Sequence, residues 1–465
     1  MGMFFSRPPA PKPHEGIAGI FSFHSNGMFV RRTNCLLQDP SKSPLHGWLE
    51  ETVQGHISEH VGRHAREGLM KPMSLSDPVT ETFARLDAAM EQDTTQWMRI
   101  TRLRPQDEVR GLAHDTMRHV GMHPSAMTWG SPLGQLLTGE VSRFWGNLYN
   151  LPAGGDVAYG SSSSECIFLV LLAARTKALA DGRRPPFNVI RPTSGHPAFD
   201  KAAHYLGLSV RAVSLDEDLR CDTAALRRAI DNDTIVISGA LPTDSHGACD
   251  PIGEMAAIAS ESDIWFHVDG AIGGCLAPFM DSVGVALPAF DFTVPGVTSI
   301  GIGLHKYGYA PVGVAAALFR EKSIADLRLV DMSNWDGSAM TGDRVAGLRS
   351  LDTLAGAWAI VQVLGREGYT ARARAIAENQ KLFAEMVRDI AGMRVLVEPT
   401  LGVVTFDAVA PQHRDFAARF AARRHRGKQI QSPGGFVVCI GPERDDDDLE
   451  RYAGEIRAAL AQCNS

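Results

Sequence analysis

Between residues 160 and 320 of this 465-residue chain, short β-rich apolar runs alternate with stretches of helical periodicity, and this alternation constrains the fold more than any other feature. The runs Asn188–Arg191, Thr234–Leu241, Ile264–Val268, Ser299–Ile302 and Val314–Phe319 carry the residues that favour strands. Between them Glu165–Ala180, Asp222–Ile230 and Pro251–Ser260 read as helices, with Asp222 and Asp250 placed to cap the last two. Strands alternating with helices predict an α/β fold: a mainly parallel sheet flanked by helices. After residue 350 the pattern changes to a long helical stretch, Thr353–Ile390, and then to short strands at Arg394–Val397, Gly402–Phe406 and Phe436–Ile440. The predicted organisation is an N-terminal helical segment over 1–125, a large α/β domain over 126–350 and a small α+β domain over 351–465. Helical periodicity at Leu45–Arg66 and Pro78–Met90 supports the first of these.

A net charge of -7 gives no reason to expect nucleic acid or an anionic membrane as partner, which leaves a small molecule as the expected ligand. The seven cysteines form no CxxC pair, which suits a reducing cytoplasm. No apolar run reaches the roughly 18 to 20 residues that a bilayer span needs. His56, His60 and His64 recur at helical spacing but lack an acidic or thiol partner, so no metal is expected. His119 and His123 precede Pro124, where a helix end and a cap are the simpler reading.

Four elements carry chemistry. In Val297-Thr-Ser-Ile-Gly-Ile-Gly-Leu-His-Lys306 a lysine follows a strand on a tight loop, facing the crevice where open α/β sheets bind ligands. Such an amine can form an imine with an aldehyde cofactor, although alone it would read as a solvated loop lysine. Asp269 ends the apolar strand Ile264-Trp-Phe-His-Val-Asp269, and a carboxylate there is costly to bury without a cation such as a protonated pyridine. Gly160-Ser-Ser-Ser-Ser-Glu165 opens an apolar helix, whose free N–H groups suit a phosphate as well as a simple cap. Ser194-Gly-His196 follows a further strand and places an imidazole to stack on a ring.

Phe290-Asp-Phe-Thr-Val-Pro-Gly-Val-Thr-Ser-Ile300, followed by His305-Lys-Tyr-Gly-Tyr-Ala-Pro311, resembles the sphingosine-1-phosphate lyases, which share the fold-type I pyridoxal-phosphate group with the group II amino-acid decarboxylases. His246-Gly247, Asp250-Pro251, His267-Val-Asp269 and Gly368-Tyr369 extend the likeness over roughly residues 155 to 370. The resemblance implies a fold-type I transferase-like fold, pyridoxal 5'-phosphate as cofactor, Lys306 as its Schiff-base lysine, Asp269 as pyridinium partner and His196 as stacking group. Ser162, Ser163 and Ser164 become the phosphate cradle, with His305, Ala271 and Thr243 as further cofactor contacts. It also implies a homodimer with the site at the interface.

The chain departs from that pattern in four places. Ser162-Ser-Ser-Glu165 stands where a Gly-Gly-Thr-Glu loop is usual, Leu304 replaces a polar residue, and Asp244 and Ser245 occupy the region of an expected tyrosine. Val312 replaces the lysine that binds the substrate phosphate. Cofactor chemistry is therefore expected to be intact and the substrate altered, toward a less charged tail or an α-carboxylate met by Arg344 or Arg349, near Tyr309. The expected activity is cleavage of a carbon–carbon bond at Cα of an amine or amino acid, by retro-aldol reaction or by decarboxylation. Transamination shares the same opening chemistry, and a non-catalytic binding protein on this fold is the alternative of another class.

Overall fold

The computed structural model describes residues 108–465, apart from 335, 337–340, 343–344, 424–426 and 464–465, together with 84–88 and 90. Leu45–Arg66, His56, His60, His64 and Arg344 lie outside the described residues, as does most of Pro78–Met90. In chain order from Glu108 come α1 (Glu108–Gly121), α2 (Pro132–Leu148), β1 (Asp156–Gly160), α3 (Ser163–Ala180), β2 (Asn188–Pro192), α4 (Ala198–Leu206), β3 (Ser209–Val213) and α5 (Thr223–Ala229). There follow β4 (Thr234–Ala240), α6 (Ile252–Glu261), β5 (Trp265–Gly270), β6 (Val297–Ile302), β7 (Ala315–Phe319) and the long α7 (Asp352–Arg388).

These strands form one seven-stranded sheet in the order β1-β7-β6-β5-β4-β2-β3. Strands β2 to β6 pair in parallel, and β7 runs antiparallel to both β6 and β1. Every residue of β4, β5 and β7 is buried, as expected of strands covered on both faces. Alternation decides which layer each side chain joins. Val236, Trp265, Ala315, Ala317 and Phe319 pack with α3 and α4, whereas Ile237, Phe266, Ile300, Ala316 and Leu318 pack with α2, α6 and α7. Helix α3 is apolar nearly all round because it is buried there, with Leu169, Val170, Leu171 and Ala173 all at 0% exposure.

Strands β1 and β3 fall outside the apolar runs that predicted strands. Strand β1 opens on a half-exposed Asp156 and ends on Gly160, and β3 is an edge strand whose one fully buried residue is Val213, so neither shows a continuous apolar run. Capping of α5 by Asp222 is as expected, since its side chain accepts from the Ala225 N–H at 2.9 Å. Asp250 is a correction. The α6 cap position is Pro251, and the fully buried Asp250 instead accepts from the Cys221 N–H at 2.8 Å and the Ala240 N–H at 2.7 Å. Those two groups sit at the end of β4 and just before α5, where no strand neighbour satisfies them.

Helix α7 is broken at Gly365, where φ is +50° and ψ -164°. Its first part, with Leu354 and Ile360, joins the core under the large sheet, and its last turns, with Phe383 and Val387, join a separate core. That second core covers a four-stranded antiparallel sheet in the order Met393–Val395, Val403–Ala408, Phe436–Cys439, Lys428–Gln429. Phe406, Phe416, Phe420, Phe436 and Tyr452 fill it, Phe420 and Phe436 meeting edge-on with centroids 4.8 Å apart. The closing helix Asp446–Ala461 is capped by Asp445, which accepts from the Asp448 N–H. His123 accepts from the Ser125 N–H at 3.1 Å, the capping role its place before Pro124 suggested. Among the described residues no helix is long and apolar enough to cross a membrane, and no group of three or more His, Cys, Asp or Glu side chains is placed to hold a metal ion.

Candidate active site

Parallel strands deliver their loops to one edge of the sheet, and three neighbouring strands deliver the key groups here. Asp269 is near the end of β5, Thr243 follows β4, and Lys306 follows β6. Together with Ser194 and His196 from the loop after β2, they line one cleft, which Asp244, Ala271 and Ile272 complete. Lys306, Asp269, His196, Thr243 and Ala271, expected at a site from the sequence, thus converge although they span more than a hundred residues of chain.

The Lys306 turn is held rigidly. Its N–H donates to the Gly303 carbonyl at 3.0 Å, and Tyr309 and Ala310 close the turn onto Lys306 and Leu304. Gly303 admits no side chain, since a Cβ there would fall 2.2 Å from the Ala271 carbonyl oxygen and 3.1 Å from Ser163 Oγ. Leu304, where a polar residue was expected, is 1% exposed and anchors the turn in the core. The Tyr307 hydroxyl ties it to the smaller sheet, lying 2.8 Å from the Gly402 carbonyl and 2.9 Å from that of Ile440.

Asp269 accepts from the Ala271 N–H at 3.0 Å and is itself buried. Two residues earlier on β5, the buried His267 pairs with Ser299 Oγ at 2.9 Å, and Trp265 Nε1 donates to the same oxygen at 2.8 Å. Burial pushes the His267 imidazole down to about 4 against the attraction of Asp269, so it is neutral at physiological pH. His196 accepts from the Ala198 N–H through Nδ1 at 3.1 Å, which fixes the ring on its turn.

Among the described residues Ser163 Oγ, Ser194 Oγ and Thr243 Oγ1 are buried without a hydrogen bond, as is the Tyr309 hydroxyl away from the cleft. Unsatisfied buried donors are uncommon in native proteins, and two of these, Ser194 and Thr243, line the cleft, which suits a polar ligand. Ser194 was not singled out from the sequence; its place two residues before His196 on the same turn was the available signal.

The serine run divides. Ser162 caps α3 by accepting from the Glu165 N–H at 3.3 Å, and Glu165 reaches back to accept from the Ser161 N–H at 2.6 Å, one residue before the cap. Ser163 points toward Gly303, whereas Ser162 and Ser164 line a second groove with Lys201, Tyr205 and Val345. Burial would raise the Glu165 carboxyl, but hydrogen bonds from Ser161 and Val345 and the charge of Arg349 outweigh it and hold it below the ordinary value.

Three expected contacts are placed differently. Arg349 stands beside Glu165 at 3.7 Å, donates to the Tyr159 carbonyl at 3.1 Å and lies over the Trp129 ring at 4.9 Å. Its guanidinium thus braces the start of α3 and does not line the Lys306 cleft, because the Glu165 carboxylate and the Trp129 face already use its charge. Tyr309 is buried at 4% exposure, stacked on Tyr369 beneath Arg372, and is not in the cleft wall. His305 turns its Nδ1 toward the Val314 carbonyl at 3.0 Å and is not among the lining residues. Neighbouring side chains on so tight a turn diverge, so the position beside Lys306 does not carry His305 into the cleft. Val312, the substitution for the phosphate-binding lysine, is 57% exposed.

Comparison with known proteins agrees with this geometry. The model of the pyridoxal-dependent decarboxylase conserved domain matches residues 128–409. A sphingosine-1-phosphate lyase of Arabidopsis thaliana is 36% identical over 292 residues, which is 62% of this chain and 53% of the plant protein. A probable L-tyrosine/L-aspartate decarboxylase of Methanocella arvoryzae is 35% identical over 317 residues, 68% of this chain and 81% of that protein. The solved structure of a Burkholderia pseudomallei sphingosine-1-phosphate lyase superposes with a TM-score of 0.76 at 28% identity, covering 84% of this chain and 92% of that one. The chain spans about half the length of the eukaryotic lyases it matches.

Proposed function

We propose that this chain, which belongs to the pyridoxal-dependent decarboxylase family, is a carbon–carbon lyase that breaks a bond at Cα of an amine substrate, by retro-aldol cleavage of an amino alcohol. The observation that carries the reading is the convergence of His196, Asp269 and Lys306 on one cleft at the carboxyl ends of β2, β5 and β6. Pyridoxal 5'-phosphate is the family's cofactor, and the cleft fits it: an amine, a buried carboxylate, an imidazole and the unpartnered hydroxyls of Ser194 and Thr243, with that of Ser163 beside Gly303, are the donor set that an aldehyde, a pyridinium and a phosphate ester require.

In this reading Lys306 holds the cofactor covalently, and Asp269 keeps the pyridine nitrogen protonated from its buried strand end. His196 supports the ring, and Ser163, Thr243 and Ser194 donate to its oxygen substituents. When bound, the cofactor supplies a sink for the electron pair left at Cα. The protein would choose the bond that breaks by orienting the substrate within the cleft, and the Lys306 amine, when free, would be placed to return a proton to Cα. Buried Cys166, Cys221 and Cys275 sit as unbridged thiols, which supports a reducing, cytoplasmic setting as part of the same reading. A homodimer rests on the sequence resemblance.

Decarboxylation is the second reading, favoured by the archaeal decarboxylase of which this chain covers 81%. One experiment separates the possibilities. Protein saturated with pyridoxal phosphate is reduced with borohydride and peptide-mapped, and the unreduced protein is assayed with amino alcohols and amino acids for aldehyde and for carbon dioxide. A pyridoxyl group on Lys306 with aldehyde release supports the proposal. Carbon dioxide release assigns the second reading, and a pyridoxyl group elsewhere or nowhere overturns both.

A further inference from the structure

The cleft wall contains a charge for which the reading above has no use. Asp244 stands on the turn after β4, in the same cleft as Lys306 and His196, and forms an ion pair with Lys428 on the edge strand of the smaller sheet. The turn that carries it is closed by Thr243 N–H to the Ala248 carbonyl at 2.8 Å and by Gly247 N–H to the Thr243 carbonyl at 3.0 Å. The next residues pin it to the smaller sheet as well, since His246 Nε2 lies 2.8 Å from the Ser432 carbonyl and Thr405 Oγ1 donates to the His246 carbonyl at 3.0 Å.

Resting on Lys306 as the cofactor lysine, we propose that Asp244 is a specificity-determining residue: a fixed negative charge in the cleft wall, positioned by Lys428, that favours amines without a carboxylate on Cα over α-amino acids. Charge counting leads there. Among the described residues lining the cleft the charged groups are Lys306, Asp269 and Asp244. If Lys306 held the cofactor and Asp269 its ring nitrogen, Asp244, paired with Lys428 from the smaller sheet, would be the remaining charged group of the described wall to face the substrate. No arginine lines the described wall to receive an α-carboxylate, and Arg349 is engaged by Glu165. The carboxylate also stays ionised: burial would raise Asp244, but the charge of Lys306 and the hydrogen bond and charge of Lys428 outweigh it and hold it below the ordinary value.

An amine arrives with a net positive charge and an α-amino acid as a neutral zwitterion, so a fixed carboxylate separates the two classes. At the effective dielectric of a partly open cleft, one such charge is worth about tenfold in relative affinity. Retro-aldol cleavage of an amino alcohol is thereby favoured over decarboxylation.

The test uses the full chain saturated with pyridoxal phosphate and a matched pair of ligands, 2-amino-1,3-propanediol and L-serine, which differ in carrying a hydroxymethyl group or a carboxylate. Dissociation constants come from titrating the cofactor absorbance, so turnover is not the readout. Wild type should prefer the diol, Asp244→Asn should narrow that preference about tenfold, and Lys428→Gln, which removes the compensating cation, should widen it. A preference unchanged in Asp244→Asn at full cofactor occupancy overturns the proposal, as does a narrowing in Lys428→Gln. If Asp244→Asn does not fold, Lys428→Gln decides alone, and an unchanged preference overturns it. Failure of wild type to link the cofactor to Lys306 is a separate result, one that removes the functional reading itself.

Discussion

Two buried groups under the cleft should respond to acid in opposite senses, and removing one should expose the other. Burial depresses His267 from 6.5 to about 4, so its contribution to stability is present above pH 6.5 and lost as the pH falls through about 4, because the unfolded chain takes up the proton first. At 1.36 kcal/mol for each tenfold change in proton affinity, the full loss is about 3 kcal/mol. Asp250 behaves oppositely: burial, only partly offset by the Ala240 and Cys221 N–H groups, raises it from 3.8 to about 6. Its contribution is fully present below pH 3.8 and is lost as the pH rises through about 6, again about 3 kcal/mol in all. Between about pH 6 and about pH 4 the two slopes cancel in the wild type. Asp250→Asn removes one of them, and its stability should then fall by about 1.4 kcal/mol per pH unit over that window relative to wild type. Urea unfolding followed by tryptophan fluorescence, at steps from about pH 4.5 to about pH 7.5, reads the difference between the two proteins. The absolute stability of Asp250→Asn does not matter, because only the slope is compared. Parallel profiles would refute the opposed-proton argument.

Asp269→Ala should keep the fold, since the carboxylate makes one backbone hydrogen bond, while turnover drops by a factor on the order of 10²–10³; near-normal turnover would exclude a role at the ring nitrogen. Gly303→Ala should lose cofactor, because its Cβ would sit 2.2 Å from the Ala271 carbonyl oxygen and force the Lys306 turn away from β5. A destabilisation of about 1–3 kcal/mol should accompany that loss, and spectrophotometric titration showing wild-type cofactor affinity would contradict it.

Much of the architecture was legible because it is written locally. Central strands such as Thr234–Ala240 are buried on both faces and so read as unbroken apolar runs, whereas the edge strand Ser209–Val213, exposed over most of its length, shows no such run. The helix start after Ser162 carries its cap and its Glu165 within four residues, and the caps Asp222 and Asp445 likewise bond backbone N–H groups three residues on. Asp250 looked like another such cap and was not, because two backbone donors distant in sequence compete for it and win by being buried. Arg349 looked available to a carboxylate from its side-chain chemistry alone, and its partners Glu165 and Trp129 lie some two hundred residues away in the chain.

The amino-acid sequence by itself determined the α/β class and the strand-end placement of Lys306 and Asp269, since strand periodicity is a property of a few adjacent residues, while the cofactor roles proposed for them and for His196 rest on the family resemblance. Only the tertiary structure decided which charges are already spoken for. Asp244 and Lys428 stand 184 positions apart, and nothing in either neighbourhood announces the other. Their pairing exists because the turn after β4 and the edge of the smaller sheet are brought together by packing, and a buried or half-buried charge is satisfied by whatever group the fold places beside it.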